Sequence, residues 1–546
     1  MSFLGRHKVY ALFWPWNYEP FVCEADMVGF SGSKSVAQGQ SVRFTLYPRL
    51  VNVRERGSSS TEHLEYRDIL NPNDWFFLFV DPMDGERPEP LYLGMIDSVF
   101  KDISIDGQGM RKQATIVSCS GWEKAIRNVS AITSPFVHGN INIVTLLAMG
   151  PLGWTNRRDA IDAEAESSGS SDIGPFAATL PRLIETIVAL FLHTSDSTGL
   201  PPSYADFISN ARSTSDDRSL FHGSDSSIDP LFNGQFELPG TSKPLWDFIR
   251  MRFENIRERT YVDPRMFLNG TTQQLSSLID QMCNPLINEV FYDVRCTDDD
   301  GLSSMDNSLV SDITGGYSQE SMENFVSFAR ESNETFGALV ENIAPYMVFR
   351  KRPLFFEELN ELDGLSIDER DLVASNLGKS DSDVNNLVSI EIPSVSNQLI
   401  RAQSGFLGFS FYRERSMESI RRHGLRFYSD QATAWPMEVR GVRIEAPQPN
   451  PELLEAYEKR ITKAGLDNPY VWSGSVTIPK FVRGLRIGGK LMITHNSVGD
   501  REITDRIYYI DSIDYTYEAT TGAFSTSLAL SRGYLEDGYR RAMGEI

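Results

Sequence analysis

Residues 508–533 read YYIDSIDYTYEATTGAFSTSLALSRG, and this stretch limits the fold more than any other. Tyr509, Asp511, Ile513, Tyr515 and Tyr517 share one parity, and Phe524, Thr526, Leu528 and Leu530 alternate after a gap. A period of two places each set on one face of a pleated strand. The gap, Glu518 to Ala523, holds Gly522, which can supply the positive φ of a hairpin loop. Upstream, LRIGGKLMIT from Leu485 to Thr494 reads as a further strand with a glycine break. Val471 to Gly533 therefore predicts a β-meander, followed by a short polar tail.

A chain of 546 residues has room for three to four domains of roughly 150 residues each. Its 41% hydrophobic content indicates packed cores, not disorder. No run approaches the roughly 20 apolar residues that span a bilayer, Ile141–Met149 and Leu183–Leu192 both being too short. No secretory signal is evident at the N-terminus. Cys23, Cys119, Cys283 and Cys296 form no CxxC pair, and a chain this large needs no disulfide staples, so all four read as reduced and buried. The net charge of −22 argues against a nucleic-acid reader, which needs a basic face to release counterions. An acidic wall past which DNA slides is compatible with it, because like charge keeps phosphates from sticking; the plain reading is solubility.

Taken in order, Val9–Trp16 is an apolar, aromatic stretch punctuated by Pro15 and Pro20, and predicts an extended arm. A strand from Val22 to Val28 is expected to end at Gly29-Phe-Ser-Gly32. Ser41–Tyr47 alternates, Trp75–Val80 is apolar on both faces, and Leu91–Phe100 and Arg111–Cys119 complete a set. With turns at Asp81–Gly85 and Asp106–Gly109 the set predicts a barrel or sandwich, followed by a short helix over Gly121–Ile126. Asp159–Ile173 reads as a loop, and Pro181–Leu192, Lys243–Arg259 and Thr271–Cys283 as helices. Leu286–Arg295 resumes β character, Cys296–Glu320 is a polar loop, and Leu387–Ile392 is a strand. Ser416 to Gly424 and Asn450 to Ala464 predict helices, the second opened by Pro451 and closed near Gly465.

Little of this carries chemistry. Ser31-Gly-Ser-Lys34 has serine-hydrolase spacing, but four-residue patterns are common and no KTG element follows. Asp298-Asp-Asp-Gly301 lacks calcium-loop spacing and reads as a solvated turn. The seven histidines stand at no ligand spacing, and there is no GxxxxGK[ST] and no strand-linked GxGxxG. No catalytic, cofactor or metal residue is therefore expected, and no enzymatic activity. Phe13, Trp14, Trp16 and Tyr18 are the interface candidates, since aromatics gather at interfaces; core packing is an equal alternative.

Gly488-Gly489 entering a strand, then YYI-x-SI, then T-x-L-x-L-x-RG up to Gly533, resembles the last strands of the tail-tube-like barrel in phage baseplate hub proteins. That family includes the hub of contractile-tailed phages and the base of type VI secretion spikes. YLGMIDSVF and ATIVSCSGWEKAI, between Tyr92 and Ile126, are similar to the close of the family's first barrel. Arg350-Lys-Arg-Pro-Leu-Phe355 resembles its Arg-x-x-Pro-Phe pattern with one extra residue, and Arg422-His-Gly-Leu-Arg426 is a further likeness. Leu93-Gly-Met-Ile-Asp-Ser-Val99 against Tyr509-Ile-Asp-Ser-Ile513 is the best internal match between the two halves. The resemblance implies a β-rich α+β fold with two tail-tube-like β-barrel domains and helical insertions. It sets barrel I with its arm at 1–128, a helical insertion at 129–284, barrel II at 285–398 and 471–536, and an inserted subdomain at 399–470. It implies a structural virion protein, made in the host cytoplasm, in which a homotrimer forms a pseudo-sixfold ring. That ring joins the tail tube or a tube adaptor to the spike protein. Baseplate wedge or other hub proteins and a tape-measure protein are implied partners; DNA is met only in transit, with no membrane insertion. A tail-associated cell-wall glycan hydrolase, or a host-sugar-binding tail adhesin, are the alternatives.

Overall fold

The computed structural model describes residues 7–24, 26–82, 88–105, 111–128, 130–132, 178–179, 249–254, 260–262, 272–283, 288–296, 343–382, 384–391, 413–431, 437–438, 451–494 and 506–535. The first part holds β1 (Lys8–Trp14), β2 (Phe21–Cys23), β3 (Met27–Ser35), β4 (Gly39–Leu46), β5 (Leu50–Arg54), β6 (Thr61–Glu65), α1 (Tyr66–Ile69), β7 (Trp75–Asp81), β8 (Glu89–Ile105), β9 (Arg111–Gly121) and α2 (Lys124–Asn128). Short strands follow: β10 (Ser130–Ile132), β11 (Ala178–Thr179), β12 (Arg250–Glu254), β13 (Thr260–Val262) and β14 (Thr272–Gln274), then α3 (Leu275–Cys283). Next come β15 (Asn288–Cys296), β16 (Ile343–Lys351), α4 (Phe356–Asn360), β17 (Gly364–Asp368), β18 (Ala374–Gly378), β19 (Leu387–Glu391), α5 (Arg413–His423), β20 (Phe427–Gln431), β21 (Met437–Glu438) and α6 (Pro451–Asp467). The last part is β22 (Trp472–Ile478), β23 (Lys490–Thr494), β24 (Arg506–Glu518) and β25 (Ala523–Leu535).

Thirteen strands form one sheet, in the order β18-β22-β25-β24-β3-β4-β9-β8-β7-β1-β2, with β23 also on β24 and β17 on β23. Among the described residues this order does not close on itself, so the two expected barrels are not two separate closed sheets. They are continuous because the second half of β24 pairs with β3. One apolar core runs beneath both halves, from Phe44, Phe76 and Val117 to Ile493, Ile513 and Leu528. A smaller sheet, β12-β16-β15, shares no ladder with the large one, and neither does the parallel pair β19-β20.

Several sequence expectations change. The arm at Val9–Trp16 is β1, a strand held between β7 and β2, because each of its residues from Lys8 to Trp14 pairs with β7. The strand expected to end at Gly29–Gly32 runs through it. Glycine is needed there for close approach: a Cβ on Gly29 would stand 2.5 Å from the Tyr517 carbonyl oxygen, and one on Gly32 2.8 Å from the Tyr92 ring. Within Lys243–Arg259, residues 250–254 are a strand, since pairing with β16 outweighs the weak helical spacing. Described parts of the 129–284 segment thus hold short strands beside one helix, α3. The strand expected over Leu485–Thr494 begins only at Lys490, behind a turn that needs positive φ at Gly488. Helix α6 passes through Gly465 to Asp467; a Cβ there would meet the Asn385 carbonyl at 2.6 Å, so the glycine serves packing. The expected turns at Asp81–Gly85 and Asp106–Gly109 lie wholly or mostly outside the described residues, as do the loop at Asp159–Ile173, the helix at Pro181–Leu192, Asp298–Gly301 and nearly all of Cys296–Glu320.

The hairpin forms as expected, with Gly522 at φ 65°. Its single parity does not hold. The β24–β25 register slips between Ile507 and Tyr509 and again between Ile510 and Ser512. Such bulges exchange the faces of the residues on either side. Tyr508 and Ile510 therefore share the main core with Ile513 and Tyr515, while Tyr509 packs in a second cluster with Leu359 and Tyr534.

Candidate assembly interface

The internal match around Ile-Asp-Ser is a repeated piece of backbone. In the β8–β9 hairpin Met95 pairs with Ser120 and Ile96 with Cys119, Asp97 is bulged out, and Ser98 pairs with Ser118. In the β24–β25 hairpin Tyr509 pairs with Ser531 and Ile510 with Leu530, Asp511 is bulged out, and Ser512 pairs with Ala529. The turn that enters the neighbouring strand is also repeated. Asn73, at φ 70°, donates its N–H to the Ile96 carbonyl at 2.8 Å, and Ile96 donates back to Asp74 O at 2.8 Å. Gly488, at φ 72°, donates to Ile510 O at 2.9 Å, and Ile510 donates to Gly489 O at 3.0 Å. Asparagine and glycine are the residues that tolerate this left-handed geometry most readily.

Counting outward from the bulges matches further strands. Phe44 and Leu46 on β4 face Val117 and Thr115, as Val476 and Ile478 on β22 face Leu528 and Thr526. All eight side chains are buried. Beyond them, β3 pairs with β4 as β18 pairs with β22. On the other side, β7 corresponds to β23, with Phe76 and Leu78 in the core as Leu491 and Ile493 are. The likeness stops one strand later: β1 is antiparallel to β7, whereas β17 is parallel to β23. The bulged aspartates differ in surroundings. Ser120 Oγ donates to Asp97 at 2.6 Å and Lys124 lies 2.8 Å from it. Burial pushes the Asp511 carboxyl up, opposed by the nearby Ser531 and Arg532, although Ser531 Oγ makes no hydrogen bond of normal geometry.

The two frames meet edge to edge. From Ser512 to Glu518, β24 is antiparallel to β3, Tyr515 facing Gly32 and Tyr517 facing Phe30, whose rings lie 6.0 Å apart. Strands β15 and β16 lie across this region and fasten both frames through buried charges. On the β3 side, Lys34 pairs with Asp293 at 3.1 Å, Trp122 Nε1 donates to Asp293 O, and Gln40 donates to Tyr292 O. Burial raises the Asp293 carboxyl, but Lys34 and Arg295 outweigh it and hold the group at about 2. On the β24 side, Arg350 pairs with Glu289 at 2.5 Å and donates to Tyr509 Oη and Gly488 O, while Tyr509 Oη donates to Glu289 at 2.7 Å.

Among the described residues the corresponding outer edges have no such strand neighbour. Among the described residues, β8 pairs only with β9 beyond Gly94–Met95, and β18 pairs only with β22. Exposed apolar side chains lie on or beside both edges: Phe100 and Ile103 on β8, and Val373 next to β18. Of the interface candidates, Phe13 and Trp14 lie inside the chain's own core, while Trp16 is 41% exposed and Tyr18 forms an isolated bridge with Glu55. Lys34, the last residue of the hydrolase-like pattern, is the buried partner of Asp293. The charge network of Glu289, Asp293 and Arg350 was not foreseen, since a buried charge has no periodicity of its own. Only Arg350 fell in a motif of the resemblance. Cys23, Cys119 and Cys283 are buried thiols. Among the described residues no helix is long and apolar enough to cross a membrane, and no group of three His, Cys, Asp or Glu stands close enough to hold a metal.

No family model matches the chain, and no curated protein matches it. Solved structures do. The tail protein from Neisseria meningitidis MC58 aligns at TM-score 0.43 and 7% identity, covering 96% of each chain. The prophage MuSo2 43 kDa tail protein from Shewanella oneidensis aligns at TM-score 0.39 and 10% identity, covering 96% of this chain and 98% of that one. A chain of the Francisella PdpA-VgrG complex aligns at 0.36 and 8%, covering 97% of this chain and 59% of that one.

Proposed function

We propose that the protein is a structural component of a phage tail baseplate, the hub that joins the tail tube to the central spike. The observation that carries this is the pair of matching β-frames joined edge to edge through β3 and β24. A chain built this way presents two similar units side by side. Three such chains offer six units towards a tube and three identical faces towards a spike, which is the symmetry change a hub performs. The two frames are then the two tube-like halves of the sequence resemblance, and β15–β16 is the strap that fixes the angle between them. Trp16 and Tyr18 remain surface candidates for contact with a neighbouring baseplate protein. The acidic balance of the chain suits a lumen that DNA crosses without binding.

Light scattering on the purified chain, with negative-stain images of the same sample, tests this. A mass of three chains and rings with a central hole are expected. A monomer at every concentration that also hydrolyses peptidoglycan would replace the hub with a tail-associated hydrolase.

A further inference from the structure

The junction of β15 with the first frame carries an unfilled hydrogen-bond pattern. Gln40, on β4, is buried, and its amide Nε2 donates to the Tyr292 carbonyl of β15 at 2.8 Å. That carbonyl can only accept, so it fixes which way the amide lies. Oε1 of the same amide is buried and makes no hydrogen bond among the described residues. Glu123, just ahead of α2 and 1% exposed, repeats the pattern. Its Oε1 accepts from Gln40 N at 2.5 Å, whereas Oε2 is buried and equally without a partner among the described residues. Both residues crowd Gly121: a side chain there would run into Glu123 Oε2 and into the Gln40 stem. Two acceptor oxygens are thus orphaned on residues already bonded to each other. Unpaired buried polar atoms are costly, and a hydrogen placed between two acceptors satisfies both.

We infer that Glu123 and Gln40 form a proton-binding site that controls how firmly β15 is held. A carboxylic acid hydrogen on Glu123 Oε2 is donated to Gln40 Oε1, and the amide so oriented donates onward to the Tyr292 carbonyl. Loss of the proton to water leaves a carboxylate oxygen facing an amide oxygen. The amide then turns its Nε2 towards Glu123, and the Tyr292 carbonyl loses its donor. A cavity of about 320 Å³, lined in part by Gly39, Arg127, Asp280 and Tyr292, lies beside the junction and is the route for water.

The surrounding charges are compatible with this. Burial raises the Glu123 carboxyl to about 7, opposed by the hydrogen bond from Gln40 N and by the charges of Arg127 on α2 and Lys34 on β3. From β15 the Tyr292 side chain faces it, with Asp280 of α3 beyond. Arg127 donates to the Gln38 carbonyl at 2.7 Å, and Asp293 is held by Lys34 and Arg295. β15 keeps its ties from Lys34 to Asp293 and from Trp122 to the Asp293 carbonyl, so the change is a local loosening and not a release. The site belongs to the fold itself, whatever the chain assembles with.

Hydrogen exchange of the full chain, measured below and above the range in which Glu123 titrates and expressed as protection, tests the site. Protection of the β15 amides from Val290 to Val294 is expected to fall roughly two- to tenfold as pH rises through about 7, the loss of one hydrogen bond, while β25 is unchanged. In Glu123→Gln the new amide donates to Gln40 Oε1 at every pH, so protection stays high throughout. No fall in the natural chain, or an equal fall in Glu123→Gln, overturns the site. Infrared titration of the natural chain against Gln40→Leu decides the matter if Glu123→Gln does not fold. Burial also raises Asp74 to about 6 and Glu89 to about 7, so only the part of the acid carbonyl band that Gln40→Leu changes is read. A hydrogen-bonded acid band that moves to the position of a free acid in Gln40→Leu supports the shared proton. An identical band in both chains overturns it.

Discussion

Arg350 is the most informative single position, because it ties three parts of the chain together. The residue is 5% exposed, and its guanidinium pairs with the buried Glu289, donates to Tyr509 and to the Gly488 carbonyl, and lies 5.0 Å from the Phe291 ring centre. Arg350→Met keeps most of the volume and removes the charge, leaving Glu289 buried with the Tyr509 hydroxyl alone on that oxygen. Breaking a buried pair from one side costs about 3–5 kcal/mol. Glu289→Gln removes the carboxylate that faces the buried guanidinium, and a similar loss is expected. The double variant leaves neither charge behind. It should be destabilised by at least about 2 kcal/mol less than the two single losses together, the scale of coupling between directly bonded groups. A chain of this size need not unfold in one step, so native-state hydrogen exchange of β15, β16 and β24 is the assay. Loss of protection in these strands, ahead of β4 and β9, is expected in each single variant. Additivity within about 0.5 kcal/mol would refute the reasoning, since the pair would then not be coupled.

Glu123 gives a pH dependence of the opposite sense to an ordinary acid transition. Burial raises its carboxyl from 4.5 to about 7, with hydrogen bonds from Gln40 N and the charge of Arg127 opposing. The folded chain thus binds this proton more tightly than the unfolded one. The contribution is fully present below pH 4.5 and is lost as pH rises through about 7, so Glu123→Gln should flatten that part of the stability profile, read as denaturation midpoint against pH. Gly29→Val should open the β3–β24 joint, since the clash is with backbone that cannot swing away; exchange of the Ser512–Glu518 amides should rise most. Phe13→Ala should cost about 3–5 kcal/mol, as for a fully buried ring, whereas Trp16→Ala should change stability by less than about 1 kcal/mol. Chemical denaturation of the two variants side by side separates a core aromatic from a surface one.

Most of the strands that build the large sheet were legible because their evidence is local. Trp75–Val80 is apolar at every position and is buried at every position; Ser41–Leu46 alternates and does so in the sheet. The last hairpin was legible for the same reason, as was Gly522 in its turn. Misread places share a different cause. Val9–Trp14 looks like an arm running into prolines until β7 is beside it. Residues 250–254 look helical until β16 offers a ladder. Gly29, Gly32 and Gly465 look like breaks, whereas each is a place where another backbone or ring comes too close for a side chain. The interface quartet split because neighbouring aromatics in an extended stretch cannot reveal which of them the core will take.

Local pattern, then, was enough to specify a β-rich chain with a closing hairpin and a repeated Leu-Gly-Met-Ile-Asp-Ser-Val and Tyr-Ile-Asp-Ser-Ile element, because alternation and turn chemistry are written within a few residues of each other. It was not enough to specify that Asp97 and Asp511 are bulged, that Tyr509 and Tyr515 consequently point to different clusters, or that β3 closes on β24 across more than four hundred residues of chain. A bulge depends on the register of the partner strand, and a buried pair such as Lys34 with Asp293 depends on what removes both from water. Neither quantity exists until distant segments are packed against each other.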